Sequence, residues 1–204
     1  EALNVDGFLV PGADEHQGEY VPARAQRLAW LTGFTGSAGV VLVLKSKAHL
    51  FVDGRYTLQA AEQTDPSIFT IESLIVTPPS VWLRNDGRGL TIGFDPWLHT
   101  ISETKALRDA LEKNGGSLVA VSDNLVDLIW EDQPAPPLEA GTIQPEKYAG
   151  KLAKVKLQEL AGIVAAARAD ATILTDPSSI AWAFNIRGND VSNTPLPLAF
   201  ALVP

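Results

Sequence analysis

The 204 residues carry 16 Lys and Arg against 24 Asp and Glu, a formal charge of −8, with 46% hydrophobic and 20% charged residues. These globular proportions exclude wholesale disorder, and the acidic surplus leaves no broad electrostatic footprint for a phosphate backbone, so nucleic acid is not an expected partner. Cysteine is absent, which rules out disulfides and thiolate-bound metals, and the length suits one large domain or one domain plus part of another.

The longest uncharged apolar run, residues 38–44, falls far short of the roughly 18 residues that span a bilayer. It reads as a buried strand, and no membrane partner is expected. No basic segment followed by an apolar one opens the chain, so a cytoplasmic address is expected. Methionine is missing at the start and everywhere else, and the chain reads as a fragment of a longer protein.

In chain order, residues 1–5 read as the end of a helix, and residues 6–10 as a strand stopped by Pro11-Gly12. Residues 24–31 form a helical pattern with Leu28, Trp30 and Leu31 for the core, followed by the glycine-rich GFTGSAG. Residues 40–44 and 49–52, joined by polar Lys45-Ser46-Lys47, read as a β-hairpin. A helix through Tyr56, Ala60 and Ala61 stops at Asp65-Pro66, and residues 69–76 and 90–94 read as strands. Residues 102–112 read as a helix capped by Ser102, with acidic Glu103 in its first turn. Residues 118–121 make a further strand and residues 124–130 a short helix. The Pro-rich DQPAPPLEAGTIQPEKY then breaks all periodicity, as a linker does. Residues 151–169 resume helical spacing ahead of a strand at residues 171–174.

That order repeats. EALNVDGFLVP lines up with AAARADATILT, RLAWLTGFTG with SIAWAFNIRG, and GVVLVL with LAFALV, with Ala29-Trp30 and Ala181-Trp182 in register. Such recurrence predicts a first domain over residues 1–140, a Pro-rich linker over 141–150, and over 151–204 the beginning of a second domain on the same plan, truncated before the counterpart of whatever follows Leu44.

Few side chains point to chemistry. The loop at residues 33–39 follows a helix and precedes a strand, the reverse of a phosphate loop, and Thr35 spoils any Gly-x-Ser-x-Gly pattern around Ser37; it reads as a structural turn. Asp14-Glu15-His16 offers metal donors, but consecutive residues rarely converge on one ion, so a solvated turn is the preferred reading. Asp95 and His99 stand one turn apart as an acid/base pair, against a simpler capped turn carried by Pro96-Trp97. Asp53-Gly54-Arg55-Tyr56 is sharper: an arginine fork beside a phenol at a helix start can hold a carboxylate bidentately. The alternative, an internal salt bridge from Arg55 to Asp53 or another acid, stays open. The polar turn at residues 185–190 is comparable.

Taken together, ADEHQGEYVPARAQRLAWLTGFTGSAG, LFVDGRYTLQA, IGFDPWLHT, NLVDLIWEDQPAPP and SIAWAFNIRGNDVSNTPLPLAFALV resemble the N-terminal part of three-domain Xaa-Pro aminopeptidases, the aminopeptidase P group of the creatinase/prolidase superfamily. Gln133 departs from the pattern, standing where the family usually carries arginine. The resemblance implies an α/β fold of the creatinase N-terminal, ribonuclease-H-like type, a mixed sheet flanked by helices, followed by the start of a second domain of the same fold. It places catalysis in a third, pita-bread domain, where two Asp, one His and two Glu hold two divalent metal ions, commonly manganese, for hydrolysis of N-terminal Xaa-Pro bonds. No such set is present, so no catalytic or metal-binding residue is assigned and the chain is expected to be inactive alone. The resemblance further implies the protein's own C-terminal catalytic domain, short Xaa-Pro peptides and a homodimer as partners, with Arg55 and Tyr56 as candidate substrate or subunit contacts. A free-standing binding or assembly module on the same fold is the alternative. Titration of this chain with Mn²⁺ or Zn²⁺ should show no stoichiometric site in calorimetry, and tight binding would move the chemistry into these residues.

Overall fold

In the computed structural model, which describes residues 4–204, strand β1 (Gly7–Pro11) is apolar throughout because both of its faces are covered. Phe8 and Val10 face one core, while Leu9 faces another on the opposite side of the sheet. Helix α1 (Arg27–Thr32) follows, then β2 (Gly39–Leu44), β3 (Ala48–Val52), helix α2 (Thr57–Gln63) and β4 (Phe69–Ser73). Helix α3 (Pro79–Asp86), β5 (Thr91–Phe94), helix α4 (Ile101–Glu112) and β6 (Ser117–Ala120) complete a six-stranded sheet of order β4-β3-β2-β1-β5-β6. The pairs β1–β2 and β2–β3 are antiparallel, whereas β3–β4, β1–β5 and β5–β6 are parallel. Leu28, Phe34 and Ala60 join Trp130 over one face; Trp82, Leu83, Leu107, Ala110 and Leu111 cover the other. Two-sided burial favours apolar residues at successive positions, which is why the central strands read as unbroken apolar runs.

Several sequence expectations need correcting. The helix end expected over residues 1–5 reaches into residues 1–3, outside the described residues. Residues 124–130 form turns rather than a helix: the Asn124 side chain accepts the Val126 N–H at 3.0 Å and donates to Asp95 at 2.9 Å, holding the segment in a bend. Helix α3 goes unanticipated, because Pro78-Pro79 reads as a breaker although Pro79 occupies the first helical turn, where a missing N–H costs nothing. The cap of α4 is Thr100, not Ser102. Its hydroxyl accepts the Glu103 N–H at 3.2 Å while Glu103 accepts the Thr100 N–H at 2.8 Å, a reciprocal capping box.

This sheet and its helices form one compact unit, residues through Glu15 with Ala25–Pro134. The second unit combines His16–Arg24 with Ala135–Pro204. It contains β7 (Thr142–Ile143), helices α5 (Glu146–Ala149) and α6 (Ala153–Ala166), β8 (Thr172–Leu174), helix α7 (Pro177–Phe184), β9 (Ile186–Arg187) and β10 (Ala201–Val203). Strands β8 and β10 pair antiparallel, as do β7 and β9. The turn around Asp14 is only partly solvated: Glu15 is exposed, but Asp14 is 1% exposed, and the His16 ring stacks on Phe200 at 4.5 Å with Nδ1 3.3 Å from the Thr175 carbonyl oxygen.

The aligned stretches share a local geometry. Helices α1 and α7 each run from one strand of an antiparallel pair toward the other, and each ends on a left-handed residue at the same aligned position, Gly33 (φ 78°) and Asn185 (φ 52°). Glycine and asparagine are the residues that adopt this conformation most readily. The aligned tryptophans are each covered on a ring face, Trp30 by Trp130 at 5.3 Å and Trp182 by the Lys156 ammonium at 4.2 Å.

Loss of the observed cap should be measurable. Thr100→Ala is expected to lower stability by about 1 kcal/mol in urea denaturation, with Ser102→Ala within about 0.5 kcal/mol of the parent chain; the reverse ranking would restore Ser102 as the cap.

Candidate functional site

The glycine-rich loop and the Asp53-Gly54-Arg55-Tyr56 turn, separate motifs in the sequence, meet at one end of the β2–β3 hairpin. Pairing of Gly39 with Val52 sets the two loops side by side. Helix α1 stops at Gly33, whose N–H donates to the Ala29 carbonyl at 2.8 Å, and the Thr32 hydroxyl turns the chain by accepting the Phe34 N–H at 3.0 Å. Phe34 then plugs the core at 1% exposure, leaving Thr35, Gly36 and Ser37 on top.

Across from them, Asp53 is extended and caps the 3-10 turn Gly54–Tyr56: its Oδ1 accepts both the Arg55 N–H at 3.0 Å and Arg55 Nε at 2.8 Å. These two bonds, the side-chain one foremost, hold the Asp53 carboxyl below its usual pKa, so it stays ionised until well into acid. Tyr56 lies edge-on to Phe34, 5.8 Å between centroids, and its hydroxyl is 2.9 Å from Ser37 Oγ. The Arg55 guanidinium sits 5.3 Å from the centre of the Tyr56 ring. Gln63 accepts the Thr35 N–H at 3.0 Å, and Gln59 donates to the Thr35 hydroxyl at 3.1 Å, which fixes the loop from α2. The internal salt bridge to Asp53 is present, and the Arg55 side chain remains 70% exposed. Ser37 has a phenol as its partner rather than an imidazole or a carboxylate.

The remaining candidates do not assemble into a centre. Asp95 accepts the Trp97 N–H at 2.9 Å and the Asn124 amide at 2.9 Å, which is the capped turn, while His99 meets Phe94 edge-on at 5.6 Å. His49 packs on Trp82 at 4.4 Å with Nδ1 3.3 Å from Glu72. Burial lowers the pKa of both His49 and His99 against the opposing pull of nearby carboxylates. The three histidines therefore lie in three separate surroundings, and among the described residues no three His, Asp or Glu side chains could hold a metal ion.

Two buried polar groups escaped the sequence reading. Arg27 binds Asp127 bidentately at 2.6 and 2.8 Å, and Gln133 donates to the same carboxylate at 2.8 Å. Burial opposes the charge of Arg27, but its bonds to Asp127 more than offset this and raise its pKa. In the second unit, the Lys156 ammonium donates to the Trp182 carbonyl at 2.8 Å and to Asn185 at 2.7 Å, closing the end of α7. A run of lysines at a helix start gave no hint that one of them is 3% exposed.

Comparison with known proteins gives this geometry a family. A family model described as the creatinase/prolidase N-terminal domain matches residues 1–129, and a second of the same description matches residues 132–204. The chain belongs to the creatinase/prolidase N-terminal domain family. It is 39% identical over 203 residues to the probable Xaa-Pro aminopeptidase P of Aspergillus flavus and 38% identical over 203 to that of Penicillium rubens, each match covering 98% of this chain. The chain spans 31% and 33% of those two proteins. The X-prolyl aminopeptidase of Caenorhabditis elegans, described as a cytosolic enzyme with a di-nuclear active site, superposes with a TM-score of 0.90 at 30% identity, over 98% of this chain and 33% of its own. The six-stranded mixed sheet flanked by helices is the creatinase N-terminal fold of that structure. A dinuclear metal centre does not fit the residues described for this family member, whose acidic and imidazole side chains stay dispersed. No helix among the described residues is long and apolar enough to cross a membrane.

The crowding under the loop yields a discriminating test. A Cβ on Gly36 would collide with the Phe34 ring and lie 2.9 Å from the Tyr56 ring, whereas one on Gly54 meets nothing within 4 Å. Gly36→Ala should cost about 1–3 kcal/mol by overpacking and Gly54→Ala less than about 0.5 kcal/mol, read from denaturant midpoints; equal effects would show that the loop yields freely.

Proposed function

We propose that this chain is the non-catalytic N-terminal portion of a metal-dependent Xaa-Pro aminopeptidase of the cytoplasm. The observation that carries the reading is the match of 98% of the chain, in both sequence and backbone, to 31% of one such protein and 33% of another, through family models described as N-terminal domains. Hydrolysis of the bond between an N-terminal residue and proline then belongs to a C-terminal pita-bread domain with two divalent metals, of which manganese is the expected kind. The two repeats divided by the Pro-rich stretch wall the approach to the catalytic domain and select short peptides.

Within that role, Arg55 and Tyr56 contact either the peptide or a neighbouring subunit of a homodimer. Arg55 is held by Asp53 and set against the Tyr56 ring, so its fork is preorganised and little side-chain entropy is lost on binding a carboxylate. In the complete enzyme, Arg55→Ala is expected to raise KM or weaken subunit association by about two- to fivefold, the range for an exposed charged contact. Steady-state kinetics and sedimentation check it together: unchanged KM, kcat and oligomeric state would refute the assignment.

A further inference from the structure

A sheet has two edges, and they differ here. At β4 two of the outward groups are consumed locally, one at each end of the strand: the Phe69 N–H donates to Asp65 at 2.9 Å, and the Ser73 carbonyl accepts from Thr77 at 2.9 Å. Glu72, whose carboxylate turns toward His49, adds a charge to that edge strand. At β6 nothing comparable happens. Ser117 and Val121 donate inward to Leu90 and Phe94, and because parallel ladders use alternate residues, the N–H and C=O of Leu118 and Ala120 point away from the sheet. Neither residue has a backbone partner on that side among the described residues. Ser117, Val119 and Ala120 are exposed, and residues 114–122 carry no charge, no proline and no bulge. In a chain with a net charge of −8, such a stretch is where a second copy meets least repulsion.

We propose that β6 is a self-association edge, pairing antiparallel with β6 of a second copy across a two-fold axis at Val119. One register satisfies all four outward groups at once, with Leu118 opposite the partner's Ala120 and Ala120 opposite the partner's Leu118. Isologous pairing of this kind makes each copy donor and acceptor to the other. The first charged residue before the strand is Lys113 and the first after it is Asp123. Antiparallel pairing sets the start of one strand beside the end of the other, so lysine approaches aspartate rather than its own like. An unrelated extended peptide would gain the backbone bonds but not this charge order. The surface is distinct from the Arg55 turn, and the inference does not depend on the aminopeptidase reading.

Sedimentation of the 204-residue chain over a concentration series tests it. Reversible dimerisation is expected, weak because the strand is short. Val119 faces its own copy across the axis, so Val119→Lys and Val119→Glu each place like charges opposite one another and should raise the dimer dissociation constant by more than about tenfold. An equimolar mixture of the two variants should recover association as a heterodimer, which also shows that both are folded. Monomer at every concentration, Val119→Lys dimerising as tightly as the parent chain, or a mixture that fails to recover would each overturn the proposal.

Discussion

A sheet covered on both faces leaves most polar groups the ends of its strands and its two edges, with buried His49 of β3 the exception. In the first unit this constraint governs everything else. Leu9, Leu42 and Phe51 fill one side, Val10, Val41 and Leu50 the other, each essentially inaccessible to water. Polar chemistry is accordingly pushed outward: Asp53 and Arg55 follow the end of β3, Asp95 the end of β5, and Lys45 pairs with Asp6 at 3.0 Å at the opposite end of the sheet. The candidate binding turn and the open β6 edge are two outcomes of one packing rule.

The second unit shows how the same local plan is met with different chemistry. At the aligned helix ends, glycine gives way to asparagine, and the asparagine side chain takes on work that glycine cannot do, accepting from Lys156 and donating to the Lys151 carbonyl at 2.8 Å. Backbone shape is preserved while its means of support changes.

What could be read from the residues alone follows from the range of the forces involved. Doubly buried strands announce themselves as apolar runs, and helix ends as Gly, Asn or Pro in the right place, so most elements of the first unit are legible. Residues 124–130 mislead because Val126 and Trp130 have helical spacing, yet both bury through a bend that Asn124 imposes. The Arg27–Asp127 pair spans 100 positions, and no local pattern signals it. For the candidate site, the sequence marks the Asp53–Arg55 turn and its possible salt bridge. The approach of Tyr56 to Ser37 depends on hairpin register and emerges only from the three-dimensional pairing.

The short stretch His16–Arg24 has a consequence for how the chain comes together. It belongs with residues far down the sequence, and the contact from His16 to Thr175 closes a loop of 159 positions. Closing such a loop is entropically slow, so the second unit cannot finish assembling until both ends of that loop are available. The two units therefore alternate along the sequence, and a cut anywhere in the Pro-rich stretch would separate the second unit from part of itself.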